Sequence, residues 1–104
     1  MNKQQTVLIA DDEPQIREIL SIYFKKEGFK VIEAADGAEA LVQVQAGKPD
    51  IILLDIMMPL FTGMELAHAI REIDAAAKII FLTSSPEFAV ESYEVKASGY
   101  LLKP

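Results

Sequence analysis

Four short stretches of this chain carry more chemistry than packing requires: Asp11-Asp12-Glu13, Asp55, Thr83-Ser84 and Lys103. Carboxylates offer oxygen ligands and nucleophiles, hydroxyls offer hydrogen bonds and a lysine offers a positive charge, provided that the fold gathers them. Asp55 closes the apolar run Ile51 to Leu54, which is bounded by Pro49-Asp50 and by Pro59. A short unbroken run of this kind reads as a parallel strand covered on both faces. In an open parallel sheet, ligands bind outside the carboxyl ends of the strands, so an Asp in that place stands where chemistry is done. Taken alone, such an Asp is equally well read as the cap of a turn or of the next helix.

The other stretches also close strand-like runs. Thr6 to Ala10 is an apolar, β-branched run that ends in the acids, and Pro14 behind them suits the first position of a helix. Ile16, Ile19, Leu20 and Tyr23 fall at i, i+3, i+4 and i+7 and predict the buried face of that helix, with Gly28 as its stop. Phe29 to Ala34 predicts a second strand. Asp36-Gly37-Ala38-Glu39 has capping-box spacing and opens a helix on Ala40, Leu41 and Val44 that runs to Gly47. Thr62-Gly63-Met64-Glu65 repeats the spacing before a stripe of Leu66, Ala69, Ile70 and Ile73, and His68 off that stripe is read as solvated surface. Lys78 to Leu82 is a fourth strand ending at Thr83-Ser84-Ser85. Ser85, Pro86 and the Ala89, Val90, Tyr93 stripe predict a fourth helix, and Gly99 to Leu102 a fifth strand running into Lys103-Pro104. Four β-α units and a final β predict a parallel sheet with helices on both faces. Asp11, Asp12, Asp55, Thr83, Ser84 and Lys103 then share one rim, which scattered structural caps would not be expected to produce.

Composition narrows the chemistry. The 104 residues, 51% hydrophobic with 5 Gly and 5 Pro, fit one globular domain with a modest core. No apolar run approaches the roughly 20 residues of a membrane span, and the polar start lacks a signal-peptide core, so the chain is read as cytosolic. Zero cysteines and a single histidine mean that any bound metal must be held by oxygen. A net charge of -6 argues against direct binding of nucleic acid.

The motifs Ile9-Ala10-Asp11-Asp12-Glu13, Leu53-Leu54-Asp55-Ile56-Met57-Met58-Pro59 with Gly63 beyond, Phe81-Leu82-Thr83-Ser84 and Tyr100-Leu101-Leu102-Lys103-Pro104 together resemble the receiver domain of two-component response regulators. The resemblance covers essentially all 104 residues, so that 1–104 is one receiver domain. It implies an α/β fold of flavodoxin-like (CheY-like) kind, a doubly wound parallel five-stranded sheet in the order 2-1-3-4-5. By the same resemblance Asp55 accepts a phosphoryl group from a histidine kinase, a phosphotransfer protein or a small phosphodonor. Mg²⁺ is held by Asp12, Asp55 and the Met57 backbone carbonyl, with Asp11 helping through water. Thr83 hydrogen-bonds the phosphoryl group, Lys103 pairs with it and Tyr100 follows the switch. The chain is then a cytoplasmic signalling phosphoacceptor, enzymatic only in transferring and shedding its own phosphoryl group. Its implied partners are a kinase, a second copy in a homodimer, and an output domain or downstream protein outside this chain. Physical chemistry agrees: crowded carboxylates repel, and a hard divalent cation relieves them. The bland readings are a surface salt bridge for Lys103, a helix-approach turn for Thr83 and half-buried packing for Tyr100.

Two departures from the family pattern stand out. The sequence stops at Lys103-Pro104, where receiver domains continue into a fifth helix, and apolar surface beside the first helix is expected to be exposed in consequence. The first half resembles regulators with winged-helix outputs, whereas Pro86 to Val95 and the Tyr100 to Pro104 ending resemble those with LytTR outputs. Other readings fare worse. A haloacid-dehalogenase-like phosphatase needs a second acid two residues after the nucleophile, and position 57 is Met. A flavin binder needs a phosphate-cradling loop after the first strand, where the three acids would repel phosphate. A receiver-like adaptor that is never phosphorylated usually implies lost acids or lysine, and all are present here.

Overall fold

A computed structural model describes residues 4–56, 58, 63–84 and 99–104. The elements are β1 (Thr6–Ala10), α1 (Pro14–Lys26), β2 (Lys30–Ala34), α2 (Gly37–Gly47), β3 (Ile51–Asp55), α3 (Gly63–Ile73), β4 (Lys78–Thr83) and β5 (Gly99–Leu102). The strands form one sheet in the order β2-β1-β3-β4-β5, every pair parallel, as the sequence predicts. Thr62, Met57 and the helix predicted from Ser85 through Tyr93 lie outside the described residues.

Alternation along the strands feeds two cores. Leu8, Ala10, Ile52, Leu54, Ile79 and Phe81 point to one face and pack with α2 and α3 through Ala40, Val44, Leu66, Ala67 and Ile70. Val7, Ile9, Leu53 and Leu82 point to the other and are covered by the half-buried Leu20, Phe24 and Phe29. Phe24 meets Tyr23 and Phe29 edge to face, with centroids 5.2 and 5.5 Å apart.

Helix boundaries follow their sequence signals. Pro14 opens α1, and Gly28, at φ 93°, takes the left-handed conformation behind its end. The Asp36 side chain accepts the Glu39 N–H at 2.8 Å, which caps α2. The buried faces need correction. On α1 the inward stripe is Ile16, Leu20 and Phe24 with buried Ser21, while Ile19 and Tyr23 are 50% and 55% exposed. Periodicity alone did not separate the two faces, because Ile19, Ile22 and Tyr23 form a second apolar stripe of the same spacing. On α3, Leu66, Ala67 and Ile70 are buried, but Ile73 in the last turn is exposed. His68 is exposed, as expected.

Candidate functional site

The register of the sheet brings the polar residues together. Ala10 pairs with Leu54, so Asp11 and Asp55 emerge side by side from β1 and β3. Asp55 pairs with Leu82 on β4, and Thr83 pairs with Leu102 on β5, which places Lys103 one residue beyond. The main chain continues that alignment past the ladder, with Lys103 N–H donating to Thr83 O at 2.8 Å and Ile56 N–H to Leu82 O at 3.1 Å. Asp12, Glu13, Asp55, Ile56, Leu82, Thr83, Ser84 and Lys103 line a cavity of about 240 Å³ at this edge.

Asp11 and Asp55 are buried, at 0% and 2% exposure, and Asp12 is exposed. Lys103 Nζ reaches all the acids that line its side of the rim: Asp11 Oδ2 at 3.0 Å, Glu13 Oε1 at 3.0 Å and Asp55 Oδ1 at 3.2 Å. Burial pulls the Lys103 pKa down, but its contacts with Glu13 and Asp11 and the attraction of Asp55 and Asp11 outweigh it. The ammonium is therefore held above its ordinary range. Four carboxylates still face one ammonium, which leaves three formal negative charges on the rim.

Asp11, Asp12 and Asp55 each turn a carboxylate oxygen inward, all within 4.8 Å of one another, a spacing that suits shared ligation of one ion. The donor set fits a hard divalent cation: every ligand is oxygen, two of the three acids are buried, and two positive charges would offset most of the excess. Buried Asp11 Oδ2 sits against Lys103 as an ion pair without a hydrogen bond of good geometry, so it keeps capacity for a further partner.

Backbone and side-chain bonds fix the acidic turn. Asp11 N–H donates to Ala34 O at 3.1 Å on β2, Glu13 N–H donates to Asp11 Oδ1 at 2.8 Å, and Arg17 Nη1 donates to Asp11 O at 2.6 Å. Glu33 on β2 meets Arg17 Nε at 3.4 Å.

The structure thus gathers Asp11, Asp12, Asp55, Thr83 and Lys103 on one rim. Tyr100 stands apart from them on the edge strand opposite Phe81, 41% exposed. Met57 lies outside the described residues. Sequence reasoning missed two participants: Glu13, taken only as part of the acidic run, is a direct partner of Lys103, and Arg17 was not singled out at all. The position of Arg17 one turn into α1 was a usable signal, since a first-turn side chain lies over the turn that precedes it.

Among known proteins, the chain matches the family model "Response regulator receiver domain" over residues 7–104. It is 46% identical over 101 residues to the positive alginate biosynthesis regulatory protein of Pseudomonas aeruginosa, which covers 94% of this chain but only 41% of that protein. The chain therefore spans less than half the length of that curated relative. Among solved structures it resembles the chemotaxis protein CheY4 of Vibrio cholerae (TM-score 0.91, 38% identity, 98% of this chain and 88% of that one). It also resembles the response regulator protein TrrA of Thermotoga maritima in complex with Mg²⁺-BeF (TM-score 0.89, 37% identity, 97% and 88%).

Proposed function

Because the chain belongs to the response regulator receiver domain family, we propose that Asp55 is its phosphoacceptor and that phosphorylation switches a partner-binding surface. The observation that carries this reading is the rim itself. A buried carboxylate at the end of a central strand has two further aspartates within 4.8 Å and a lysine 3.2 Å away, beside an open cavity.

The Asp55 carboxylate attacks phosphorus as the phosphorus–nitrogen bond of a phosphohistidine donor breaks, with the electron pair leaving on the imidazole. Mg²⁺ held by Asp12, Asp55 and the Met57 carbonyl, with Asp11 through water, would supply charge neutralisation and a template for in-line transfer. Lys103, ion-paired to three carboxylates before reaction, turns to the phosphoryl oxygens as their charge develops. The Thr83 hydroxyl, at the same edge, donates to those oxygens. Tyr100 follows, and the surface of β5 changes between two packings. Water attack on phosphorus later restores Asp55 and releases inorganic phosphate. Such a chain is a phosphoacceptor enzymatic only towards itself.

Residues 1–104 are read as one receiver domain, acting in the cytoplasm on an output unit of winged-helix or LytTR kind outside these residues. Among the described residues no helix is long and apolar enough to cross a membrane. A histidine kinase or phosphotransfer protein is the proposed donor and a homodimer the proposed active assembly. The adaptor reading loses ground because the acids and the lysine are present and assembled. The test is incubation with acetyl phosphate and Mg²⁺ followed by intact mass. A gain of one phosphoryl group that chelation of Mg²⁺ prevents is expected; no gain in either condition favours the adaptor.

A further inference from the structure

We propose that Arg17 is a positioning residue for the cation site: its guanidinium, oriented by Glu33, holds the acidic turn so that the Asp11 and Asp12 carboxylates keep the spacing a small hard cation requires. This rests on reading the Asp11, Asp12 and Asp55 cluster as a divalent-cation site.

Asp12 is the one exposed acid of that cluster, so its place depends on the main chain at either side of it. The Glu13 side is held by the first helical bond of α1, Arg17 N–H to Glu13 O at 3.2 Å, which any residue at 17 would make. The Asp11 side is held by the Arg17 side chain, whose Nη1 donates to Asp11 O at 2.6 Å. The guanidinium is aimed by Glu33, whose carboxylate lies 3.4 Å from Nε and whose strand position pairs with Ile9, two residues before Asp11. Arg17 therefore ties β1, β2 and the start of α1 into one frame around Asp12. A planar, always-charged fork is suited to that task, since it makes two directed contacts at once.

Charge alone argues the other way, and this makes the proposal testable. A cation beside a cation site opposes binding, so removing Arg17 for its charge alone should tighten metal binding. If Arg17 positions the turn, its removal weakens binding. The weakening should also be selective, because Mg²⁺ demands near-ideal octahedral geometry whereas Ca²⁺ tolerates a flexible shell.

The experiment is titration of the full chain with Mg²⁺ and, separately, Ca²⁺, followed by the backbone amide NMR shifts of Asp12 and Glu13 in wild type, Arg17→Met and Arg17→Lys. Loss of an outer-shell partner typically weakens metal affinity ~10-fold or more. Arg17→Met should show that rise in the Mg²⁺ dissociation constant with a smaller rise for Ca²⁺. Arg17→Lys, which keeps the charge but loses the fork, should fall between it and wild type. Unchanged or tighter Mg²⁺ binding in Arg17→Met overturns the proposal, as does equal weakening for both ions. If Arg17→Met does not fold, Arg17→Lys decides by the same Mg²⁺-to-Ca²⁺ ratio. A folded wild type whose amides respond to neither ion overturns the cation site itself, and the variants are then silent as well.

Discussion

The two faces of the sheet are built to different depths. Among the described residues, 15 buried side chains pack on the α2 and α3 face, from Leu8 and Leu54 to Ile70 and Phe81. On the α1 side the described residues give a core cluster of 4 buried side chains, Val7, Ile9, Leu53 and Leu82, completed by half-buried neighbours, with Ile16 and Ser21 buried on the helix itself. The site inherits this contrast. Asp11 and Asp55 leave central strands whose residues are buried almost throughout, whereas Lys103 is carried by an edge strand on which Tyr100, Leu101 and Leu102 are all exposed. Rigid packing fixes Asp11 and Asp55, and lighter packing suits a lysine proposed to change partners on phosphorylation.

Neighbouring isoleucines on β4 sharpen the comparison most strongly. Ile79 belongs to the deep core and is fully buried, while Ile80 packs half-buried against the shallow one. Ile79→Ala should destabilise the fold by about 2–5 kcal/mol, and Ile80→Ala by less than about half of that. Urea unfolding at neutral pH measures both, and equal losses would erase the proposed difference between the faces.

The same contrast marks what could be read in the sequence. β1, β3 and β4 were legible because a strand buried on both faces is an unbroken apolar run, and the rim was legible because each run ends in a polar residue. The buried face of α1 was not. Its two apolar stripes are equivalent in spacing, and the side of the sheet on which the helix lies selects Ile16, Leu20 and Phe24 over Ile19 and Tyr23. Ile73 was misread because an apolar stripe at a helix end can outrun the sheet that covers it. Lys103 was predicted as a partner for incoming phosphate, and its three carboxylate partners depend on side-chain reach that a sequence does not record.

A second, smaller effect concerns the lysine. Lys103→Met leaves Asp11, Glu13 and Asp55 to repel without a counter-charge and should cost about 2 kcal/mol. That is less than the full loss expected on breaking a buried pair, because the lysine comes from an exposed strand. Added Mg²⁺ should recover part of it, by binding the folded state only. Alkaline pH acts through the same group. The folded Lys103 pKa is raised above its ordinary value of 10.5, so its contribution is complete below that value and is lost as pH climbs through the folded one. Thermal unfolding across that range should show wild type approaching Lys103→Met; parallel curves would mean that the ion pairs contribute nothing.

The smallest effect is expected at the start of α2, on the deep face. Asp36→Ala removes the side-chain acceptor of Glu39 N–H and should cost about 1 kcal/mol. Because α2 packs on the larger core, the loss should appear as a lower urea midpoint with an unchanged slope. A changed slope would show that α2 frays independently and that the deep face is less cooperative than its burial implies.

The central claim is that the fixed acid of this rim, Asp55, takes the phosphoryl group. Reduction of the phosphorylated chain with borohydride converts an aspartyl phosphate to homoserine, and peptide mass mapping then locates the residue. Homoserine is expected at position 55 after treatment with acetyl phosphate and Mg²⁺, with neither phosphoryl gain nor homoserine in Asp55→Asn. Homoserine at position 11 or 12, or an Asp55→Asn variant that gains phosphate at the rate of the wild type, would contradict it.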